Sequence, residues 1–137
     1  MDHTVFLGLG ANIGDRHKSL ERAIKLIERR IGRVTRRSSF IETDPWGFES
    51  ENVFLNAAVC VTTEMTPMQL LEATQSIEDE MGRSSRSANG QYHDRKIDID
   101  ILLYDDITVD TPTLKIPHPL MYERDFVMIP LQEILEE

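Results

Sequence analysis

The stretch Arg95-Lys-Ile-Asp-Ile-Asp-Ile-Leu102 contains the clearest strand pattern of the chain. Side chains of a strand alternate between its two faces, so the three isoleucines share one face whereas Asp98 and Asp100 share the other. The apolar run continues to Tyr104, and the pattern predicts a strand over 97–104 with one face in the core.

The elements on the N-terminal side of this strand follow from the spacing of apolar residues. Intervals of three and four predict one helix from about Arg16 to a stop at Gly32, and another that ends at Gly82. The second helix begins at Thr66-Pro-Met-Gln69, a typical helix start with threonine as N-cap and proline at the first helical position. Strands are predicted over 3–9, 34–42 and 53–63, and a short fifth strand over 107–109.

The order of these elements, β-α-β-β-α-β, predicts the α+β class and a ferredoxin-like fold. In that fold an antiparallel sheet carries two helices on one face, and here a C-terminal extension over 116–137 follows. The 137 residues, 40% of them hydrophobic, suit a single domain over 1–137.

Between the first strand and the first helix lies Gly8-Leu-Gly-Ala-Asn-Ile-Gly14. The spacing of its glycines is one residue too long for the dinucleotide-binding pattern, and no parallel βαβ architecture is predicted after it. The segment up to Asp15 is therefore predicted to be a tight turn that needs the φ angles of glycine.

Composition and charge exclude several classes of protein. Lys and Arg number 15 against 24 Asp and Glu, a net charge of −9, whereas nucleic-acid coats and basic membrane-surface proteins need a cationic footprint. The single Cys60 excludes an internal disulfide and a cysteine-based zinc site. No apolar run approaches ~18 residues and the N-terminus lacks the basic start of a signal peptide, so we expect no membrane span and a cytoplasmic location.

Asp98 and Asp100 are the strongest candidates for chemistry. Two residues of rise separate them by ~6.6 Å along a strand, so that two Mg²⁺ ions ~3.5–4 Å apart could be shared between them, with phosphate oxygens and water as further ligands. The alternative is an ordinary solvent-facing strand side. Aspartate is unfavourable in strands and two on one face repel each other, so the pattern favours a metal site, and hard oxygen ligands favour Mg²⁺ over zinc.

Three other features have both a functional and a structural interpretation. His118 lies between two prolines, and it either donates to a phosphate or belongs to a rigid surface turn. Phe54 and Asn56 share a strand face, where an aromatic plane lies beside an amide that can both donate and accept, although Phe54 alone is typical of a core. Trp46 lies in a turn, where a tryptophan is often only a lid on the core.

Seven segments, in this order, are similar to those of the hydroxymethyldihydropterin pyrophosphokinase family of folate biosynthesis. They cover nearly the whole chain, and the ordered set is specific although each segment alone is not. The segments are residues 8–14, 38–40, 54–58, 75–78 with 82–83, 95–101, 117–119, and 124–126 before 130–131.

The resemblance implies transfer of a pyrophosphoryl group from ATP to the hydroxymethyl oxygen of 6-hydroxymethyl-7,8-dihydropterin, with release of AMP. It implies that Asp98 and Asp100 bind two Mg²⁺ ions bridging the ATP phosphates, and that Arg83 and Arg95 neutralise charge during catalysis. The residues implied to bind ATP are Gln75, Glu78, Ile101, Leu114, His118 and Arg124. The residues implied to bind the pterin are Thr43, Pro45, Trp46, Phe54, Asn56 and Phe126.

The partners implied are these two small molecules, with no nucleic acid and no membrane, and the chain is expected to act as a monomer. It departs from the family at Tyr92-His93-Asp94, where the family has Trp-Gly-Pro. Two other functions are compatible with the same residues. One is another Mg²⁺-dependent nucleotide or phosphate transferase or hydrolase on this fold, and the other is a non-catalytic ferredoxin-like module that binds a small ligand.

Overall fold

The computed structural model describes residues 2–43, 53–81, 97–119 and 121–135, with only the backbone described for Thr43, Tyr122 and Asp125. The strands are β1 (His3–Ala11), β2 (Gly32–Arg37), β3 (Ile41–Thr43), β4 (Phe54–Thr63), β5 (Asp98–Tyr104), β6 (Val109–Asp110) and β7 (Lys115–Ile116). The helices are α1 (Arg16–Arg30), α2 (Pro67–Glu80) and α3 (Asp125–Leu135), with a short 3₁₀-helix over Met121–Glu123.

The larger sheet is antiparallel, with its strands in the order β2-β4-β1-β5. β3 pairs with the half of β4 that lies beyond the end of β2, and β6 and β7 form a separate hairpin. α1 and α2 are the two crossover helices, as the ferredoxin-like fold requires. The predicted α+β class and fold are confirmed.

One face of the sheet packs against α1 and α2 and forms the main core. Leu7 of β1, Leu20 and Ile27 of α1, and Leu70 and Ile77 of α2 are all fully buried in one apolar cluster. Complete burial of each such side chain stabilises the fold by about 1.5–3 kcal/mol relative to exposure.

α2 begins where its sequence predicts. The Thr66 hydroxyl accepts a hydrogen bond from the Gln69 amide at 3.2 Å, and the Gln69 side-chain oxygen accepts one from the Thr66 amide at 2.9 Å. This reciprocal pair satisfies amides at the start of the helix, including one that the first turn leaves without a helical partner. Among the described helices, none is both long enough and apolar enough to span a membrane.

The C-terminal extension packs on the opposite face of the sheet. α3 covers one end of that face, where Leu131 and Val127 cluster with Leu102 of β5, and Ile134 packs against Cys60 of β4. The side chains of Phe54, Asn56, Asp98 and Asp100 lie on this same side of the sheet. Together with Gly10 they form a region that we call the polar face.

The predicted turn over residues 8–15 is wrong for its first half. β1 continues to Ala11, so Gly8 and Gly10 are strand residues paired with both β4 and β5. Only the last glycine of the segment, Gly14, has a positive φ, of 70°. The strand continues because it is paired on both sides, which outweighs the low strand propensity of glycine.

The predicted single strand over 34–42 is two strands, β2 and β3. The pairing with β4 moves from Arg37 opposite Val59 to Ile41 opposite Asn56, so the segment between β2 and β3 contains one residue more than the part of β4 that it faces. At the interruption, the Ser38 amide donates to the Ala58 carbonyl at 2.9 Å and the Ser38 hydroxyl accepts from the Ala58 amide at 2.8 Å. The serine side chain therefore completes the pairing that the backbone interrupts.

Candidate active site

A row of directly paired residues crosses three strands on the polar face. Gly10 of β1 pairs with Asn56 of β4 on one side and with Asp98 of β5 on the other. Directly paired residues project to the same face of a sheet. Because neighbouring strands lie about 4.8 Å apart, the backbones of Asn56 and Asp98 are separated by about 10 Å across Gly10.

Asp98 and Asp100 are half-buried neighbours on this face, as their alternation predicts. His118 Nε2 lies 4.0 Å from Asp100 Oδ1, and the His118 amide donates to the Leu102 carbonyl at 3.2 Å. This backbone hydrogen bond to β5 therefore holds His118 beside the carboxylates of that strand. Burial lowers the pKa of the His118 imidazole, and the nearby charge of Asp98 opposes that shift.

The donor chemistry of this pair of carboxylates suits Mg²⁺. They are hard oxygen ligands, and two of them leave coordination positions for phosphate oxygens and water, which is how Mg²⁺ is usually held with a nucleotide. Within the described ranges, no group of three or more His, Cys, Asp or Glu side chains could hold a metal by itself. Asp98 and Asp100 thus fit a metal shared with a ligand.

A cavity of about 270 Å³ adjoins Asp100 at the edge of the sheet. Its lining comes from α2, β5 and the segment that carries the β6–β7 turn and His118. Of the residues expected to bind ATP, Ile101, Leu114 and His118 line it together. The other lining residues are Leu71, Ile99, Pro112, Thr113, Lys115 and Pro119.

Gln75 and Glu78 lie on α2 and are not among the residues that line this cavity. Glu78 is 4% exposed, and its Oε2 accepts a hydrogen bond from the Ile99 amide at 2.8 Å. β5 is the edge strand of the sheet, so this carboxylate satisfies a buried amide between the two aspartates. Glu78 thereby holds β5 in position, and Gln75 is half-buried one turn earlier.

α3 places two further predicted site residues next to each other. Arg124 is 3% exposed, and its guanidinium carbon lies 5.6 Å from the centre of the Phe126 ring. The Arg124 carbonyl accepts from the amides of Val127 and Met128 at the start of the helix. Burial lowers the pKa of the Arg124 guanidinium. The start of α3 therefore brings Arg124, which is predicted to bind ATP, next to Phe126, which is predicted to bind the pterin.

Phe54 and Asn56 lie on β4 at the side of the polar face away from the aspartates. Asn56 is 3% exposed and Phe54 is half-buried. The backbone of Thr43 ends β3 opposite Phe54. Four predicted site residues lie outside the described residues, and their roles stay predictions: Pro45, Trp46, Arg83 and Arg95.

Several residues that shape the site are missing from the sequence prediction, among them Leu71 and Gly10. Leu71 lines the cavity, but its pattern on α2 is the same as that of a core residue, so no local signal distinguishes it. The sequence did indicate the position of Gly10, because Gly8 and Gly10 continue the alternation of apolar and other residues in the first strand. Their interpretation as turn glycines overlooked that alternation.

The chain matches a protein-family model described as 7,8-dihydro-6-hydroxymethylpterin-pyrophosphokinase over residues 6–136. Curated relatives are named 2-amino-4-hydroxy-6-hydroxymethyldihydropteridine pyrophosphokinase. The Porphyromonas gingivalis protein is 50% identical over 131 residues, which cover 95% of this chain and 89% of the relative. The Bacillus subtilis protein is 44% identical over 138 residues, which cover 100% of this chain and 81% of the relative.

Solved structures with a similar fold belong to longer chains. A Plasmodium falciparum HPPK-DHPS structure matches 100% of this chain and 42% of its own, with a TM-score of 0.81 and 18% identity. An HPPK-DHPS structure in complex with substrates matches 98% of this chain and 40% of its own, with a TM-score of 0.79 and 18% identity. This chain spans about two fifths of the length of those chains, and at that identity the likeness shows the fold.

Proposed function

The chain belongs to the 7,8-dihydro-6-hydroxymethylpterin-pyrophosphokinase family, and from that premise we propose how its residues divide the reaction between them. It is an ATP-dependent enzyme of folate synthesis that transfers pyrophosphate from ATP to 6-hydroxymethyl-7,8-dihydropterin and releases AMP. The observation that carries the division of roles is the row of Asn56, Gly10 and Asp98. It sets an amide suited to a pterin and a carboxylate suited to a metal on one face.

The metal side of this row is β5. Asp98 and Asp100 would hold two Mg²⁺ ions, which supply charge neutralisation on the ATP phosphates when bound. The half-exposed position of both carboxylates supports this role. Glu78 holds the strand in place from the side of α2. His118 lies beside Asp100, which supports its assignment to an ATP phosphate.

The nucleotide occupies the cavity next to Asp100. The apolar side chains of Leu71, Ile101 and Leu114 suit the flat faces of a base, and Asp100 with His118 mark the polar end where the phosphates meet the metal. Gln75 on α2 and Arg124 at the start of α3 are assigned to the nucleotide by the family resemblance. Arg83 and Arg95 are assigned to the phosphates in the same way.

The pterin occupies the β4 side of the polar face. A pterin is flat with a polar edge, so two aromatic faces and one amide suit it. Phe54 and Phe126 are the proposed stacking rings, and Asn56 binds the polar edge. The remaining assigned contacts are Thr43, Pro45 and Trp46.

In the reaction, the hydroxymethyl oxygen of the pterin attacks the β-phosphorus of ATP. A new P–O bond forms, the bond from the β-phosphorus to the oxygen of the α-phosphate breaks, and AMP leaves with that oxygen. The proton of the hydroxymethyl group is released to solvent. Transfers of this kind depend on positioning and charge stabilisation rather than on a covalent nucleophile. The protein groups therefore act by holding the two substrates in line across Gly10.

An assay of AMP release tests this proposal. The full chain is incubated with ATP and Mg²⁺, with and without 6-hydroxymethyl-7,8-dihydropterin, and we expect AMP only when the pterin is present. Nucleotide cleavage that ignores the pterin would support another Mg²⁺-dependent enzyme. No cleavage, together with calorimetric binding of a non-hydrolysable ATP analogue that does not need Mg²⁺, would support a binding module.

Three broader assignments are part of the same proposal. Residues 1–137 form one pyrophosphokinase domain, which acts as a monomer. Its partners are small molecules, not nucleic acid or a membrane, and its location is the cytoplasm. The monomeric state is carried over as the expectation stated for the sequence. Light scattering at micromolar concentration tests it, since a mass of twice 15.8 kDa would contradict it.

A further inference from the structure

We propose that Gly10 is a positioning residue for the pterin, because the absence of a side chain at this point of β1 leaves the space that the Asn56 amide occupies. This inference rests on the proposed function, since it concerns the ligand that Asn56 binds. It goes further in assigning pterin affinity to a residue that offers no side chain to the ligand.

The geometry at Gly10 leaves no room for a methyl group. A Cβ atom built there would lie 2.9 Å from Asn56 Oδ1, a distance that real Cβ atoms essentially never show. The next nearest atoms are Cδ1 and Cε1 of Phe54, at 3.6 and 3.9 Å. Asn56 is 3% exposed and lies in a close-packed environment. A side chain at position 10 must therefore displace the amide.

The backbone conformation does not explain the glycine. Gly10 lies inside β1, paired on both sides, and its φ is not positive, unlike that of Gly14. Any residue can adopt the backbone of a strand. The reason for glycine at this position is the space above it.

A methyl group at position 10 would clash with side chains on the pterin side of the row. Asp98 is paired with Gly10 as directly as Asn56 is, yet the three atoms nearest to the added Cβ all belong to Phe54 and Asn56. The nucleotide cavity lies beyond β5. A methyl group at position 10 is therefore expected to weaken pterin binding and to leave nucleotide binding almost unchanged.

Gly8 provides a matched control in the same strand and on the same face. A Cβ atom built on Gly8 has Leu102 side-chain atoms as its three nearest neighbours, at 3.3, 3.4 and 3.6 Å. Leu102 is fully buried in the cluster with α3. Gly8→Ala thus adds the same methyl group two residues away, against an apolar side chain instead of a site amide.

The experiment measures both ligands by calorimetry on the full chain. One titration uses a non-hydrolysable ATP analogue with Mg²⁺, and the other uses 6-hydroxymethylpterin in the presence of that analogue. For Gly10→Ala we expect at least tenfold weaker pterin binding and less than threefold weaker analogue binding. For Gly8→Ala we expect less than threefold change for both ligands.

A double-mutant cycle separates displacement of the amide from a general effect on the strand. In an Asn56→Ala background, Gly10→Ala should weaken pterin binding by less than a further threefold, because the amide that it displaces is absent. If Gly10→Ala alone does not fold, the double variant should still fold and bind the analogue, since it lacks the clash with Oδ1.

Three results would overturn the inference: wild-type pterin affinity in Gly10→Ala, equal weakening of both ligands, or an undiminished effect of Gly10→Ala in the Asn56→Ala background. A wild-type chain that binds the analogue but no pterin would instead overturn the proposed function, and the inference with it. The wild-type titration therefore distinguishes the two failures.

Discussion

The two faces of the central sheet differ in what their side chains do, although the same three strands supply both. Leu7, Leu55 and Ile99 point towards α1 and α2 and are 0–8% exposed. On the other face, residues one position away carry an amide and two carboxylates, and only one end is covered by α3. Residues that stabilise the fold and residues with a proposed chemical role thus alternate along the same strands.

This difference teaches that stability and activity can be changed separately in one strand. A substitution on the core face removes apolar contacts and leaves the ligand groups in place. A substitution on the polar face removes a ligand group and few apolar contacts. Five substitutions test this separation, three on these faces and two at the boundaries of the sheet.

The largest effect is expected for the metal pair. In Asp98→Ala or Asp100→Ala we expect AMP release to fall below detection, because each variant loses a carboxylate proposed to hold the metal. The melting temperature should stay the same or rise, since two neighbouring carboxylates repel each other. Steady-state kinetics and thermal unfolding check both parts, with Asp106→Ala as an exposed control beyond the end of β5. Wild-type turnover in either variant would refute the role.

The complementary change on the core face is Leu7→Ala. Leu7 is fully buried, so truncation should lower the free energy of unfolding by about 2–5 kcal/mol. The kcat of the folded fraction should remain within twofold of wild type. Urea denaturation measures the first quantity, and Met68→Ala, at a site that is 45% exposed, should change it by less than about 0.5 kcal/mol. A large loss of kcat at full folding would show that the faces are not separable.

A smaller effect is expected at the interruption between β2 and β3. Ser38→Ala removes the hydroxyl that accepts from the Ala58 amide, and a buried amide left unsatisfied costs about 1–3 kcal/mol. Ser39→Ala is the matched control, because Ser39 is exposed and its hydroxyl bonds only the Glu133 carboxylate among the described contacts. Equal stability loss in the two variants, measured by urea denaturation, would contradict the role of the Ser38 hydroxyl.

The smallest effect is expected at the far end of β5. Burial raises the pKa of the Asp105 carboxyl, but hydrogen bonds from the Thr4 amide and His3 outweigh it and hold the pKa below its usual value of 3.8. A carboxyl whose pKa is lowered in the folded protein stabilises the fold at pH values above 3.8, its usual pKa. This contribution is lost as the pH falls from there through the pKa of the folded protein.

Asp105→Asn tests this contribution, because asparagine tolerates the positive φ of 48° at this position. Wild type should be slightly more stable than the variant at pH 7, and the difference should shrink between pH 4 and pH 3. Urea denaturation at these pH values measures it. A difference that is constant with pH would assign the effect to geometry instead of charge, and turnover at pH 7 should be unaffected.

Much of the fold followed from local patterns. The alternation of isoleucine and aspartate in β5 and the capping residues of α2 depend on neighbours within a few positions, and both were predicted. The break between β2 and β3 was not, because it depends on a hydrogen bond from the Ala58 amide to the Ser38 hydroxyl, twenty positions away in the chain. The placement of Glu78 was also outside such patterns, since the amide that it satisfies belongs to β5.

The sequence by itself determined which residue types were available: two aspartates on one strand face, an amide beside an aromatic ring, and a histidine between prolines. The tertiary structure decided that Asn56 and Asp98 share a row across Gly10, that His118 lies beside Asp100, and that the start of α3 sets Arg124 against Phe126. The reason is that periodicity reports only the direction of a side chain relative to its own strand or helix. Register between strands distant in sequence depends on the simultaneous packing of both faces.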